Sequence, residues 1–378
     1  MHSRDPYESH RPATPLELFF DLCFVVAVAL AADNLHHEIA EGHAGDGIAA
    51  FAIVFFGIWW AWMNFTWFAS AYDTDDAVYR ITTFVQMGGV LVMAAGIPRA
   101  FESGDFGLSV AGYVLMRLAM VAHWLRAAQT DQTTRPCALR YAAGVAALQV
   151  LWVARLNLDG VLGLVTIAVL VAGELLVPVF AERDARTAWH PHHIAERYGL
   201  FTIIVLGESI LAATTAFQQA FDAGGKEASL IALAASGLVI VFSMWWLYFD
   251  QAEHPEPGSF AAAFRWGYGH LFVFAAAAAV GAAIAVTVDH KTDHTVISDT
   301  TAGLVIAIPV AVYLAAVWLI HVLPVNDDLL VPAFPVTALL VLASALAGTW
   351  ALPIIAILLA ALVALMLLQS ERRLASEM

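Results

Sequence analysis

Residues 48–70 read IAAFAIVFFGIWWAWMNFTWFAS. No charge interrupts them, and Asn64 is their strongest polar group. As a helix rising 1.5 Å per residue the stretch is about 34 Å long, enough to cross a hydrocarbon core of about 30 Å. The pattern returns along the chain. The sequence predicts twelve spans near 16–33, 48–70, 81–98, 107–125, 138–154, 160–180, 198–217, 229–249, 267–288, 302–322, 329–347 and 351–369. Short polar links such as DNLHHEIAEGHAGD, NLDG and AEHPEPGS separate them. The divisions between spans five and six and between eleven and twelve are the weakest.

Composition agrees with an all-α, polytopic integral membrane protein. Of 378 residues, 61% are hydrophobic and 13% charged, and the mean hydropathy is +0.76. Soluble domains run at about 45–50% and 25% respectively. Water-soluble enzymes and secreted domains are excluded on this ground. Nucleic-acid binding is excluded too, because 17 basic residues face 32 acidic ones and no basic stripe is present. The lipid bilayer is the one partner the sequence names, and it does not address oligomeric state. Two cysteines, Cys23 and Cys137, make no disulfide framework. The first residues carry no apolar stretch of the signal-peptide kind, so no cleaved leader is expected.

Basic residues set the expected orientation. Twelve of them, including Arg4, Arg11, Arg80, Arg126, Arg140, Arg197, Arg265 and Arg373, fall on the side holding both termini. Arg99, Arg155, Lys226 and Lys291 fall on the other, and Arg117 lies within a span. Both termini are therefore expected in the cytoplasm, with the chain in the inner (plasma) membrane. The outer links carry histidine and acid: Asp33, His36, His37 and Glu38 in one, Asp289, His290, Asp293 and Asp299 in another.

An internal duplication is also legible. Glu17 falls opposite Glu196, Trp59-Trp60 opposite Trp245-Trp246, Trp62 opposite Tyr248, Asn64 opposite Asp250, and Arg80 opposite Arg265. Landmarks in one order at a nearly constant offset predict two parallel six-helix repeats, 16–182 and 196–369. A cytoplasmic tail (1–15), a linker (183–195) and a C-terminal tail (370–378) complete the chain. An even helix number per repeat implies a pseudo-two-fold axis along the membrane normal. Transporters with repeats of this kind hold their sites at the repeat interface.

Ionisable residues within spans are costly and mark function by default. Glu17 and Asp21 stand one helical turn apart, and two such carboxylates in low dielectric resist ionising together. Glu208 lies twelve residues beyond Glu196, about 18 Å along the helix and near mid-membrane, with Ser209 beside it. Arg117, at similar depth, is expected to pair with Glu208. Asn64, Asp73, Arg80, Gln86, His123, Glu174, Glu196, Arg197, Asp250, Arg265, His270 and His321 converge on the cytoplasmic level. Asp73, Asp75 and Asp76 also read as a solvated charge run. The tryptophans of spans two and eight read as an interfacial belt plus packing.

WHPHHIAER places His190, His192 and His193 before Glu196, but Pro191 reads as a helix breaker and no HExxH spacing is present, so no metal is assigned. No phosphate loop, dinucleotide fingerprint or nucleophile elbow occurs, and neither cofactor nor catalytic residue is expected.

Three stretches carry a family likeness: TPLELFFDLCFVVAVAL from Thr14, WWAWMNFTWFASAYDTDDAVYR from Trp59, and HHIAERYGLFTIIVLGESIL from His192. YGHLFVFAAAAAVGAA from Tyr268 fits as well. The chain resembles the bacterial low temperature requirement protein A family over nearly its whole length. The resemblance marks Glu17, Asp21, Trp59, Trp60, Asp73, Arg80, Glu196, Arg197, Gly199, Glu208 and His270. The family's name describes a growth phenotype, so it implies no particular reaction. Phe19-Phe20-Asp21 is also similar to the first-helix Phe-Ser-Asp motif of lysosomal-type potassium channels, without its serine. The expected activity is proton-coupled secondary transport of a small solute. A cation channel or leak pathway is the first alternative, and a membrane-embedded enzyme acting on lipid the second.

Overall fold

The computed structural model describes residues 4–5, 8, 11–184, 186–222, 224, 227–250, 260–324 and 329–377. The link AEHPEPGS and Lys226 lie outside the described residues. The described chain is helical, without strands. Its helices are α1 (Pro15–Ala40), α2 (Ala44–Tyr72), α3 (Ala77–Glu102), α4 (Gly107–Thr130), α5 (Arg135–Arg155) and α6 (Gly160–Ala181). They continue as α7 (Pro191–Asp222), α8 (Glu227–Phe249), α9 (Phe260–Lys291), α10 (Asp299–Val317), α11 (Leu330–Ser344) and α12 (Ala351–Glu377).

Among the described residues, eleven helical runs are long and apolar enough to cross a membrane. The last, Leu330–Glu371, joins two expected spans in one run. It breaks at Gly348, whose φ of 60° is a left-handed value that glycine adopts without a Cβ clash. Beyond the break, α12 packs against α11. The apolar side chains of α6 point outward: Val161, Leu164, Val165, Val169 and Leu176 are all exposed. In water such a surface is a liability, and in lipid it is the expected one. The chain is a multi-pass membrane protein.

The helices form two compact units, residues 1–30 with 53–197 and residues 31–52 with 198–378. Within the first, α3 packs on α4, α4 on α5 and α5 on α6. The backbones of α3 and α4 nearly touch. A Cβ on Gly112 would collide with the Met93 nitrogen, and one on Gly96 would stand 2.5 Å from the Ser109 nitrogen. Small residues at such a crossing let van der Waals packing hold helices together where lipid offers no hydrophobic drive. Trp59, Trp60 and Trp62 are fully buried in this unit's core, whereas Trp245 and Trp246 are exposed in the other. Positions that the expected duplication would align thus occupy unlike surroundings. In the second unit α9 packs on α10, and α12 on α8.

Candidate functional site

Two helix starts in the first unit build the site. Thr14, Pro15 and Glu17 open α1 with a capping box. The Glu17 N–H donates to Thr14 Oγ1 at 3.3 Å, and the Thr14 N–H donates to Glu17 Oε2 at 2.8 Å. This fixes Glu17 in the first turn, with Asp21 one turn deeper on the same face. Helix α7 starts at Pro191, inside the expected linker. Proline at the first helical position initiates a helix, since its missing N–H has no partner there anyway. His190 precedes it, and its Nδ1 accepts the His193 N–H at 3.3 Å. The end of the expected linker, where Pro191 reads as a helix breaker, is therefore a helical turn that sets His193 four residues before Arg197.

Glu17, Asp21, His193 and Arg197 all have zero exposure. The Arg197 guanidinium sits between the two carboxylates. Its Nε donates to Asp21 Oδ2 at 3.1 Å and its Nη2 to Asp21 Oδ1 at 2.5 Å. Its Nη1 lies 3.0 Å from Glu17 Oε1, in ion-pair contact without hydrogen-bond alignment. The His193 ring nitrogen Nε2 reaches Glu17 at 3.1 and 3.2 Å. Trp62 Nε1 donates to Asp21 Oδ1 at 2.7 Å. Two carboxylates thus share one permanent cation. Among the described residues, His193 Nδ1, Arg197 Nη1 and the buried Tyr79 hydroxyl have no hydrogen-bond partner.

The chain ends and loops of this unit add more charge. Arg11 is buried and donates to the carbonyls of Ser70 and, at 2.6 Å, Ala69. Asp73 is buried and accepts the Asp75 N–H at 3.0 Å. Burial and then the Glu17 charge push the Asp73 carboxyl up. Asp75 pairs with Arg80 at 2.6 Å, an exposed contact, and that bond holds its carboxyl below the usual range. Asp76 caps α3 through the Tyr79 N–H at 3.0 Å and pairs with Arg126. Arg126 first, and the cap second, hold its carboxyl well below the usual range. The charge run is thus paired at Asp75 and Asp76 and buried only at Asp73. Glu196 is exposed and accepts the Ala13 N–H at 3.2 Å. Asn64 is buried and donates to the Trp60 carbonyl at 2.8 Å.

Arg117 does not serve Glu208 as expected. It pairs with Glu174 of α6 at 2.9 Å, both side chains buried. Glu174 collects four further donors: Trp60 Nε1 (2.9 Å), Tyr113 hydroxyl (3.0 Å), Gln149 Nε2 (3.1 Å) and Trp152 Nε1 (3.3 Å). Depth along a helix is readable from sequence but azimuth is not, and two acids competed for one arginine. The one-to-one charge balance and five donors make this a structural hub.

The remaining expected residues lie in the second unit. Glu208 is half-buried and has no hydrogen bond or ion pair among the described residues. Ser209 is buried and donates to the Ala277 carbonyl at 2.8 Å, close against Gly281. Asp250 and Arg265 are exposed. His270 is buried, its Nδ1 bonded to the Trp266 carbonyl at 2.7 Å. A carbonyl only accepts, so Nδ1 carries the proton and Nε2 accepts from the Tyr248 hydroxyl at 2.9 Å. His321 sits on a π-helical turn, 5.4 Å from the His270 ring. Glu17, Asp21 and Arg197 are the expected residues that meet. His193 and Trp62 join them unforeseen. The i, i+4 spacing of His193 and Arg197 was the available signal.

Residues 12–369 match the family described as Bacterial low temperature requirement A protein (LtrA). A curated relative, the uncharacterized protein RA0937 of Rhizobium meliloti (strain 1021), is 31% identical over 273 residues. That match covers 68% of this chain and 64% of the relative, less than two thirds of its length. The chain belongs to the bacterial low temperature requirement A family.

Proposed function

We propose that this protein is a proton-coupled secondary transporter of a small solute, with Glu17, Asp21, His193 and Arg197 as its proton-binding centre. The observation that carries the reading is charge: four fully buried side chains hold two carboxylates and one guanidinium. A buried charge without a partner is expensive, so the cluster is neutral only when it holds one proton more. His193 is the member whose ordinary pKa lies nearest neutrality. Protonated, the cluster carries two charges of each sign. Deprotonated, it carries one net negative charge in apolar surroundings. A group whose proton changes the charge of a buried site is what coupling to a proton gradient requires. The Tyr79 hydroxyl and His193 Nδ1, which make no hydrogen bond among the described residues, offer a donor and an acceptor to a polar solute. The same reading takes twelve crossings in duplicated six-helix halves, with both termini on the cytoplasmic side of the inner membrane.

The test is reconstitution into vesicles holding a pH-sensitive dye, under an imposed potential and with pooled amino acids, sugars and organic ions outside. The reading expects proton entry that depends on one pool and is lost in Asp21→Asn. Solute-independent K⁺ or Na⁺ flux, unchanged by Asp21→Asn, would replace it with the channel reading.

A further inference from the structure

The histidines and acids of the outer links have no part in the proton-binding centre. Asp33, His36 and His37 occupy positions i, i+3 and i+4 on the last turns of α1, which puts them on one helix face. One ligand atom from each lies within 4.8 Å of the others. Both rings are already oriented. His36 Nε2 lies 2.6 Å from Asp289 Oδ2 on α9, and His37 Nδ1 lies 2.8 Å from the Asp33 carbonyl. An acceptor holds each of those nitrogens in its N–H form, so His36 Nδ1 and His37 Nε2 keep their lone pairs. A histidine that binds metal almost always gives its other N–H to a carboxylate or a backbone carbonyl. Both kinds of support are present here. The ground behind the site is tied down as well. The Val296 N–H donates to the Ala40 carbonyl at 3.2 Å, and His290 Nε2 lies 2.8 Å from Asp299.

We propose that Asp33, His36 and His37 form a site for a divalent transition-metal ion of the Zn²⁺ class, with Asp289 as the carboxylate that positions His36. Two imidazoles and one carboxylate are a zinc donor set, and three protein ligands leave a fourth position open. Metal–ligand distances of about 2.0–2.2 Å require the three ligand atoms to draw together from their present spacing. The Asp33 side chain is exposed on the helix surface, so rotation of its carboxylate supplies that movement while both rings keep their orienting contacts. The open position and the exposure make the bound ion exchangeable.

The experiment is a Zn²⁺ titration by calorimetry on the full chain in detergent, purified without a histidine tag. Wild-type protein should take up one Zn²⁺ that His36→Ala and His37→Ala each lose. Asp289→Asn should weaken it about 10–100-fold, and His43→Ala should leave it unchanged. Co²⁺ should give the visible spectrum of a four-coordinate nitrogen–oxygen site in wild type and not in His36→Ala. All these side chains are at least partly exposed, and elution as a single species checks folding. Equal uptake by wild type and the His36→Ala/His37→Ala double variant would overturn the proposal. So would an Asp289→Asn protein that binds as tightly as wild type.

Discussion

Glutamine in place of glutamate should have opposite consequences at the two buried acid clusters of the first unit. At Glu174 the charges balance, and five donors converge on two oxygens. Trp60 and Arg117 donate to Oε2, and Tyr113, Gln149 and Trp152 donate to Oε1. Whichever way a Glu174→Gln amide is turned, its NH₂ meets at least two donors. Arg117 also loses its counter-charge while remaining buried. Removing one member of a buried pair costs about 3–5 kcal/mol, and each stranded donor adds about 1–3 kcal/mol. The loss should therefore be at least about 3 kcal/mol. At Glu17 the same change removes the surplus negative charge. The glutamine side chain of Glu17→Gln still completes the capping box through its amide oxygen, as glutamine does in this motif. Glu17→Gln should stay within about 1 kcal/mol of wild type, the order of a single neutral hydrogen bond, or exceed it. Denaturant titration of the purified proteins in detergent, followed by tryptophan fluorescence, measures both. If Glu17→Gln loses as much as Glu174→Gln, the charge count is wrong and the α1–α7 cluster is a second structural clamp.

Arg197→Met leaves two carboxylates facing each other and should cost about 3–5 kcal/mol, most of which Glu17→Gln/Asp21→Asn in the same chain should restore in the same titration. Gly112→Ala drives a Cβ into the Met93 backbone and should cost about 1–3 kcal/mol. Gly88→Ala, with nothing within 4 Å of the new carbon, is the control and should be neutral. Asp76 has a lowered folded pKa, so its stabilising contribution is complete above the ordinary aspartate value of about 3.9 and fades as pH falls below it. Arg126→Gln should flatten that acid limb, read as unfolding midpoint against pH. Glu208→Gln should leave stability within about 0.5 kcal/mol, the ordinary range for a side chain without partners, and should leave proton coupling intact if the Glu17 centre carries it.

The fold was legible because the bilayer imposes a length. Runs such as 48–70 and 160–180 need no tertiary information to be read as spans, and the helices lie where they were expected. The start of α7 was misread because proline has two meanings. Within a helix it breaks the hydrogen-bond ladder, and at the first position it begins one. His190-Pro191-His193 offers both readings, and which one applies depends on whether His190 can serve the His193 N–H. The merging of the last two expected spans into one broken run at Gly348 has a similar origin. The hydropathy of 329–369 is unbroken, and only a backbone angle marks the change of direction.

The site was half legible, for a reason that separates its two clusters. Glu17, Asp21, Glu174 and Glu208 all read as acids in apolar helices, and cost alone ranks them by depth. Depth selects Glu208, which is half-buried and unpartnered among the described residues. What distinguishes a clamp from a switch is the number of cations and donors each carboxylate meets, and those come from other helices. Glu174 meets one cation and four neutral donors from α2, α4 and α5, so both of its oxygens are fully satisfied. Glu17 and Asp21 divide one cation between them, with a histidine as the only further source of positive charge in direct contact among the described residues. The proposed proton exchange belongs to a cluster held that way. The assignment of function to the α1–α7 cluster rests on that inequality.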